Sequence, residues 1–295
     1  MSFINRKYLQ SKVKFFKFFG MDVSHAKTIF RLKNNKKLNL ENPQEFSEKI
    51  KWLKLFKYTE AYKNYVDKYE VRAYVKEKIG ASYLNTVIGV YDNVDDINFD
   101  DLPNQFALKG THGSGYNIIV EDKNKLDWSE TKKELIKYMS SNYYYKYREK
   151  IYKDVKPRIL AEHYLDQMDN DHIIDYKFYC IHGKPTYVLV KTLDNGEDKN
   201  CFYDLQWNKL EPDLNKHDFL SKDIPKPNNL NELIIIAEKL ADGFIFIRVD
   251  LYSISDKIYF GELTFFPTAG NKRLRVERLN KELGDLIQLP TLVYD

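Results

Sequence analysis

Two segments whose first residues lie 140 positions apart restrict this chain more than any other feature. Residues 106–120 read FALKGTHGSGYNIIV and residues 246–270 read FIRVDLYSISDKIYFGELTFFPTAG. Each reads as strand, special loop, strand. In the first, Phe106, Leu108, Ile118, Ile119 and Val120 are apolar and strand-like. Between them runs Gly110-Thr111-His112-Gly113-Ser114-Gly115, with three glycines in six residues. Glycine permits positive φ and close backbone approach, so such a loop can aim several N–H groups at one anion. Lys109 stands where its ammonium meets the same anion as a point charge.

In the second segment, Arg248 and Asp250 interrupt an otherwise apolar strand and share a face, because side chains alternate. Ile258–Phe265 reads as the next strand after a turn at Ser253–Lys257, with Glu262 and Thr264 on one face. An antiparallel hairpin brings Asp250 and Glu262 together. Two carboxylates among apolar neighbours are costly unless a cation or hydrogen bonds satisfy them. Mg²⁺, which takes one or two carboxylates plus phosphate oxygens and water, is one answer. An ion pair of Arg248 with Asp250 or Glu262 is the other. The plain reading of the first segment is a glycine-rich hairpin with a solvated lysine. Taken together, the two segments point to a site that handles the phosphates of ATP.

At 295 residues and 43% hydrophobic content the chain has material for one large domain or two modest ones. It holds no apolar run of membrane-spanning length, and its start lacks the apolar stretch of a secretory signal. Cys180 and Cys201 form no metal motif, and a reduced, cytoplasmic setting is expected. The charge is uneven. Residues 1–40 carry ten lysines and arginines against one acid, Asp22, a charge of +9 in a chain whose total is +4. Phe3, Phe15, Phe16, Phe18 and Phe19 interleave with these lysines. The pattern is a basic amphipathic helix suited to an anionic membrane surface or a polyanionic partner. The phenylalanines are expected to pack on the body and leave the lysines to bind anions.

Residues 1–80 read as mostly helical, with Pro43 opening a helix over 44–57. Residues 84–121 read as strands around the glycine loop. Residues 129–150 read as one helix with Ser129 as N-cap. Strands are expected at 158–164, 173–181 and 184–192, a polar loop at Asn195–Lys199, and a proline-containing connection over 212–229. Helices are expected at 231–241, ending at Gly243, and at 275–288. The GxGxxG dinucleotide fingerprint is absent, and the six histidines show no metal-ligand spacing. Lys177 and Lys191, on paired strands, are candidates to reach phosphate or substrate. Asp169-Asn170-Asp171 fits the short acidic motif with which many glycosyltransferases hold a metal–nucleotide sugar, or a solvated turn.

Taken in order, Lys109 with His112-Gly113-Ser114-Gly115, then RILAEHYL (158–165), DYKFYCIHGKP (175–185), RVDLY (248–252) and FGELTFFPTAG (260–270) resemble the ATP-grasp enzymes. The resemblance is to the TupA-like branch, associated with bacterial surface-polysaccharide genes. Residues 66–80 resemble that family's early lysine segment, and the likeness runs from about Phe46 to Ile287.

The resemblance implies an α+β ATP-grasp fold, two subdomains clasping the nucleotide. A helical region with the basic arm (1–80) would precede the catalytic region (81–295). It implies ATP and Mg²⁺ as cofactors. Lys68 and Lys109 would hold the nucleotide phosphates, with Lys177 a further candidate, and Gly113, Ser114 and Gly115 would form the loop over the γ-phosphate, with His112 beside them in the site. Glu162, His163, Tyr164 and Leu165 would form the hinge beside adenine. Asp250, Glu262 and Thr264 would hold metal, and Arg248 would stabilise charge at the acyl centre. The family usually carries Asn where Thr264 stands; a hydroxyl ligates magnesium more weakly than an amide carbonyl, and Asn271 is a candidate substitute.

The implied reaction is carboxylate–amine ligation through an acyl phosphate, joining an amino acid to a uronic-acid carboxylate of a surface glycan. The basic arm fits peripheral contact with an anionic membrane or a lipid-linked acceptor; no nucleic-acid partner is implied. The alternative is a glycosyltransferase of the same pathway using the 169–171 triplet.

Overall fold

The structure, a computed structural model, describes residues 3–165, 174–213 and 217–291. Four helices occupy the first eighty residues, as expected: α1 (Phe3–Phe18), α2 (Asp22–Asn34), α3 (Phe46–Phe56) and α4 (Val71–Ile79). Helix α3 begins later than Pro43 signals, because a capping box sets its start. The Glu45 side chain accepts from the third helical N–H while Glu48 reaches back to the backbone of Glu45. Helix α3 buries Phe46, Ile50 and Leu53 as its apolar side, and with them Lys51 and Lys54.

Three phenylalanines at the end of α1 depart from expectation, while Phe16 is half-buried. Phe15, Phe18 and Phe19 are 54%, 84% and 60% exposed. Helix α1 packs on α2, and Leu9 is its buried contact. The three rings lie beyond that contact and touch one another, with centroids 4.6 Å apart for Phe15–Phe19 and 5.1 Å for Phe18–Phe19.

Two antiparallel sheets follow. The smaller contains β1 (Val87–Tyr91), β2 (Phe106–Gly110), β3 (Asn117–Val120) and β4 (Ile159–His163) in the order β1-β4-β2-β3. It has its own core of Phe106, Leu108, Val120, Leu135, Ile159 and neighbours, covered by α5 (Trp128–Met139). The larger holds β5 (Asp175–Ile181), β6 (Lys184–Asp194), β7 (Glu197–Asp204), β8 (Lys209–Leu210), β9 (Phe246–Ile254) and β10 (Lys257–Thr264), ordered β10-β9-β5-β6-β7-β8. Helix α7 (Leu230–Ala241) packs on β9, β6 and β5, and α8 (Glu277–Leu286) packs on α3. The core of this sheet also takes in Phe46, Ile50, Val71 and Val75.

Three local expectations change. The helix expected over 129–150 is two: α5 is capped by Asp127, not Ser129, and a break at 140–142 precedes α6 (Tyr143–Tyr147). The break comes where the Asn142 side chain caps the new helix through the Tyr144 N–H. The polar stretch at 195–199 is a two-residue hairpin turn, Asn195-Gly196 at φ 51° and 77°, and β7 starts at Glu197. Its charged residues belong to an exposed strand end.

Candidate active site

The site forms where the two sheets present their charged residues. On the smaller sheet, Lys109 of β2 and Glu162 of β4 lie on neighbouring strands, and Lys109 Nζ meets Glu162 Oε2 at 2.7 Å. Arg72 of α4 takes the other oxygen, Oε1, at 3.1 Å. Glu162 is thus a buried anchor for two cations. His163 donates its N–H to Thr86 O at 3.0 Å, and its carbonyl accepts from Asn85 Nδ2 at 2.7 Å. That carbonyl keeps a second lone pair. Leu165 ends this described stretch, and Tyr164 makes contacts of its own.

The glycine loop is pinned from below. The ammonium of Lys68 donates to the carbonyl of Gly110 at 3.0 Å and to that of Gly113, while its N–H reaches Thr111 O at 3.1 Å. Burial lowers the Lys68 pKa to about 8, against the pull of Glu262. Asp67 and Glu70 hold Arg158 beside it at 2.8 and 2.7 Å. His112 is buried, its Nε2 lies 2.9 Å from Tyr138 O, and its ring faces Tyr116. Burial lowers its pKa. In this conformation the ring anchors the loop to Tyr138.

The glycines divide the work. Gly115 alone in the loop has positive φ, 79°, at an open tip. Gly113 is required for space, since a Cβ there would lie 2.6 Å from the Tyr116 ring and 2.9 Å from Tyr143. Gly113→Val is therefore expected to displace both rings and raise the ATP KM several-fold with a fall in kcat. Gly115→Ala, which meets no atom, should cost only about 1 kcal/mol of backbone strain. Unchanged kinetics in Gly113→Val would separate the loop from the nucleotide.

On the larger sheet the register is Glu262↔Asp250 and Lys177↔Asp250 across three adjacent strands. A bulge at Gly261, where a Cβ would meet Asp250 O at 3.0 Å, sets Glu262 opposite Asp250. Asp250 is fully buried. Arg248 grips it through Nε–Oδ1 and Nη2–Oδ2, both 2.6 Å, and Lys177 Nζ meets Oδ2 at 2.6 Å. Lys177 also pairs with Asp175. Burial favours the neutral acid, but Arg248 and Lys177 overcome it and hold the Asp250 pKa below the ordinary carboxylate value. Burial, then the Asp250 charge, push Asp175 upward. Arg248 Nη2 also contacts Glu262 Oε1 at 3.3 Å and Thr264 Oγ1 at 3.0 Å, and Thr264 donates to Glu262 at 2.9 Å. The Glu262 side chain is 42% exposed. In this conformation the ion pair holds Asp250, and Glu262 is the accessible carboxylate.

Lys68 connects the two sheets, within electrostatic reach of Glu262, Lys109 and Glu162. Tyr252 of β9 is within electrostatic reach of Asp175, Glu262, Asp250 and Glu162, and burial, more than these charges, raises its pKa. A cavity of ≈ 400 Å³ opens beside this cluster. Ser114, Arg248, Glu262 and Thr264 line it, and so do Glu149, Tyr152 and the turn at 267–270. In that turn Thr268 and Ala269 hold φ of 53° and 56°, a strained arrangement for residues with a Cβ. Asn271 borders the cavity, but its Oδ1 accepts from buried Lys51 at 2.5 Å. Lys191 stands apart, paired with Asp198 of β7 at 2.8 Å. The 169–171 triplet lies outside the described residues.

Reading the sequence missed Glu149, Tyr143 and Tyr152 as cavity residues, and Asp175, Arg72 and Arg158 as partners of the charged cluster. The tyrosine-rich run at 143–152 is the one signal that marks this wall.

Among the described residues no three His, Cys, Asp or Glu side chains gather into a metal cage. The model of the TupA-like ATP-grasp family matches residues 48–288. No curated protein matches the chain. Solved structures similar to it include the ATP-grasp ligase PsnB complexed with minimal precursor, at 11% identity and TM-score 0.42 over 77% of this chain and 60% of that one. D-Alanine-D-Alanine Ligase from Helicobacter pylori is 17% identical, with TM-score 0.38 over 77% and 61%. The Bacillus anthracis D-alanine--D-Alanine Ligase complexed with ATP is 13% identical, with TM-score 0.42 over 73% and 63%. This chain thus spans less than two thirds of each. With its family model matched over most of its length, the chain belongs to the TupA-like ATP-grasp family and has the ATP-grasp fold.

Proposed function

We propose that the chain is an ATP- and Mg²⁺-dependent carboxylate–amine ligase that joins an amino acid to the uronic-acid carboxylate of a surface glycan. The observation that carries the reading is that Arg248 and Glu262 share one cavity wall while Lys68 lies within electrostatic reach of both Glu262 and Lys109, in a chain of this family. Lys109 and Lys68 would turn from Glu162 and the loop carbonyls to the nucleotide phosphates. Arg248 lies at the cavity wall, where it suits a substrate carboxylate and the oxyanion that follows. Lys33 and Lys272 also line the cavity, which favours an anionic sugar.

The residues fit a magnesium ion. Glu262 offers an accessible carboxylate beside the Thr264 hydroxyl, and such a cation needs few protein ligands when phosphate oxygens and water complete its shell. Asp250 joins it only when Arg248 or Lys177 releases an oxygen. Bound there, magnesium would supply charge neutralisation. The test is product analysis. ADP and phosphate, released only when a uronic acid and an amino acid are both present, support the reading; AMP and pyrophosphate contradict it.

The acceptor is proposed to lie at an anionic membrane surface or on a lipid. Among the described residues no helix is long and apolar enough to cross a membrane. Helix α1 instead presents exposed Phe15 and Phe18 among Lys12, Lys14 and Lys17. Basic residues near such a surface contribute roughly 1 kcal/mol each. Full-length protein should co-float with phosphatidylserine vesicles at low salt and not with phosphatidylcholine ones. Removing residues 1–20 should abolish flotation and leave the melting temperature nearly unchanged. Equal flotation of the truncated chain would remove the arm from this role.

A further inference from the structure

Outside the charged cluster, one carboxylate in the cavity wall has no assigned task. The chain turns at Arg148, a non-glycine residue at φ 57°, which ends α6. Arg148 is fixed there by Asp22 at 2.6 Å and by stacking over Tyr144. The turn directs the next residue, Glu149, inward. Glu149 is only 6% exposed, yet it lines the same cavity as Arg248 and Glu262. Among the described residues its carboxylate makes no hydrogen bond and no ion pair within 4.0 Å.

The nearest cations, Lys54 and Lys51, attract it electrostatically but form no direct ion pair with it. Lys51 Nζ is bound to Asn271 Oδ1 and Lys54 Nζ to Tyr147 O at 2.6 Å, both neutral acceptors. Burial lowers the pKa of both lysines. A buried carboxylate with no partner is costly and calls for a ligand that completes it. Glu149 lines a cavity that already holds Arg248 for an anion, and a hydrogen-bond donor such as an ammonium bound there would complete its carboxylate.

We propose that Glu149 receives the amine substrate, accepting a hydrogen bond from its ammonium and then one of its protons. This rests on the ligase reading above. The ammonium passes one proton to the Glu149 carboxylate, and the freed nitrogen lone pair attacks the acyl carbon. The C–N bond forms, the bond to the phosphate oxygen breaks, and the second amine proton leaves with the phosphate. Burial raises the Glu149 pKa to about 7, with Lys54 and Lys51 opposing. That value suits a base working near neutrality. The other charged groups at the cavity are Arg248 and Glu262 from β9 and β10, with Lys33 and Lys272; Tyr143 and Tyr152 are pushed upward by burial.

The experiment compares full-length wild type with Glu149→Gln, using ATP, glucuronate and either glutamate or hydroxylamine as nucleophile. Hydroxylamine is uncharged at neutral pH and needs no base. Both proteins should form hydroxamate within about 3-fold, while amide formation with glutamate falls by about 100-fold or more in the variant. The wild-type rate should fall as pH drops through about 7, and the variant should lose that limb. Equal loss of hydroxamate and amide would mean a structural role and overturn the assignment, as would an acid limb retained in the variant. Absence of hydroxamate in wild type would instead sink the ligase reading.

A substrate-free measurement guards against misfolding. The folded pKa lies above the ordinary 4.5, so Glu149 contributes stability below pH 4.5 that is lost as pH rises through about 7. The variant should be relatively more stable above pH 7, and a variant less stable there would overturn the unpartnered carboxylate.

Discussion

Replacing Asp250 with alanine is expected to cost about 3 kcal/mol of stability. The residue is 1% exposed and accepts three hydrogen bonds from two cations that are themselves mostly buried. Removing one partner of a buried ion cluster strands the others, and about 3–5 kcal/mol is usual. The lower figure applies here because Lys177 keeps Asp175 and Arg248 keeps Glu262 and Thr264. Urea unfolding should show the loss as a lower midpoint with an unchanged slope. A change below about 1 kcal/mol would mean that these cations are solvated and that Asp250 is dispensable to the fold. Asp250→Asn keeps the shape and removes the charge, so it should lie between wild type and alanine.

Glu262→Gln should behave in the opposite way. Glu262 is half-exposed, and its bonds to Arg248 and Thr264 survive in part with an amide oxygen. Such a pair contributes about 1 kcal/mol or less, so the melting temperature should hold within a few degrees. Phosphoryl transfer should fall by at least ~100-fold, since the carboxylate proposed to hold magnesium is gone. ATP should still dock through Lys109 and the loop. A large fall in melting temperature with turnover per folded molecule unchanged would make Glu262 a structural partner of Arg248 and remove it from the metal site.

These two variants separate what the sequence alone left joined. Alternation along β9 and β10 was enough to place Arg248, Asp250, Glu262 and Thr264 on one face, and the observed register agrees. It could not decide between metal and ion pair, because that depends on Lys177 and Asp175 from β5, whose place beside β9 is a matter of strand order. The same holds for Lys109, which meets Glu162 only because β4 lies between β1 and β2.

Glu149 was illegible for a different reason. It follows a tyrosine-rich helix as an ordinary charged residue, and only the left-handed turn at Arg148 aims it inward. Gly113 was legible as a member of the glycine loop, but its constraint is the Tyr116 ring rather than positive φ. The α1 phenylalanines show the limit of composition. Periodicity marks an amphipathic helix, but not whether the body offers a surface to cover it, and here it covers little beyond Leu9.

The central claim is that a carboxylate attacks ATP to form an acyl phosphate. Its most direct test uses a uronic acid labelled with ¹⁸O in both carboxylate oxygens, with ATP, magnesium and the amino acid that supports turnover. If the carboxylate is the nucleophile, one labelled oxygen moves to the phosphate with each amide formed, and mass analysis finds one ¹⁸O per phosphate released. Unlabelled phosphate accompanying amide formation would contradict the account.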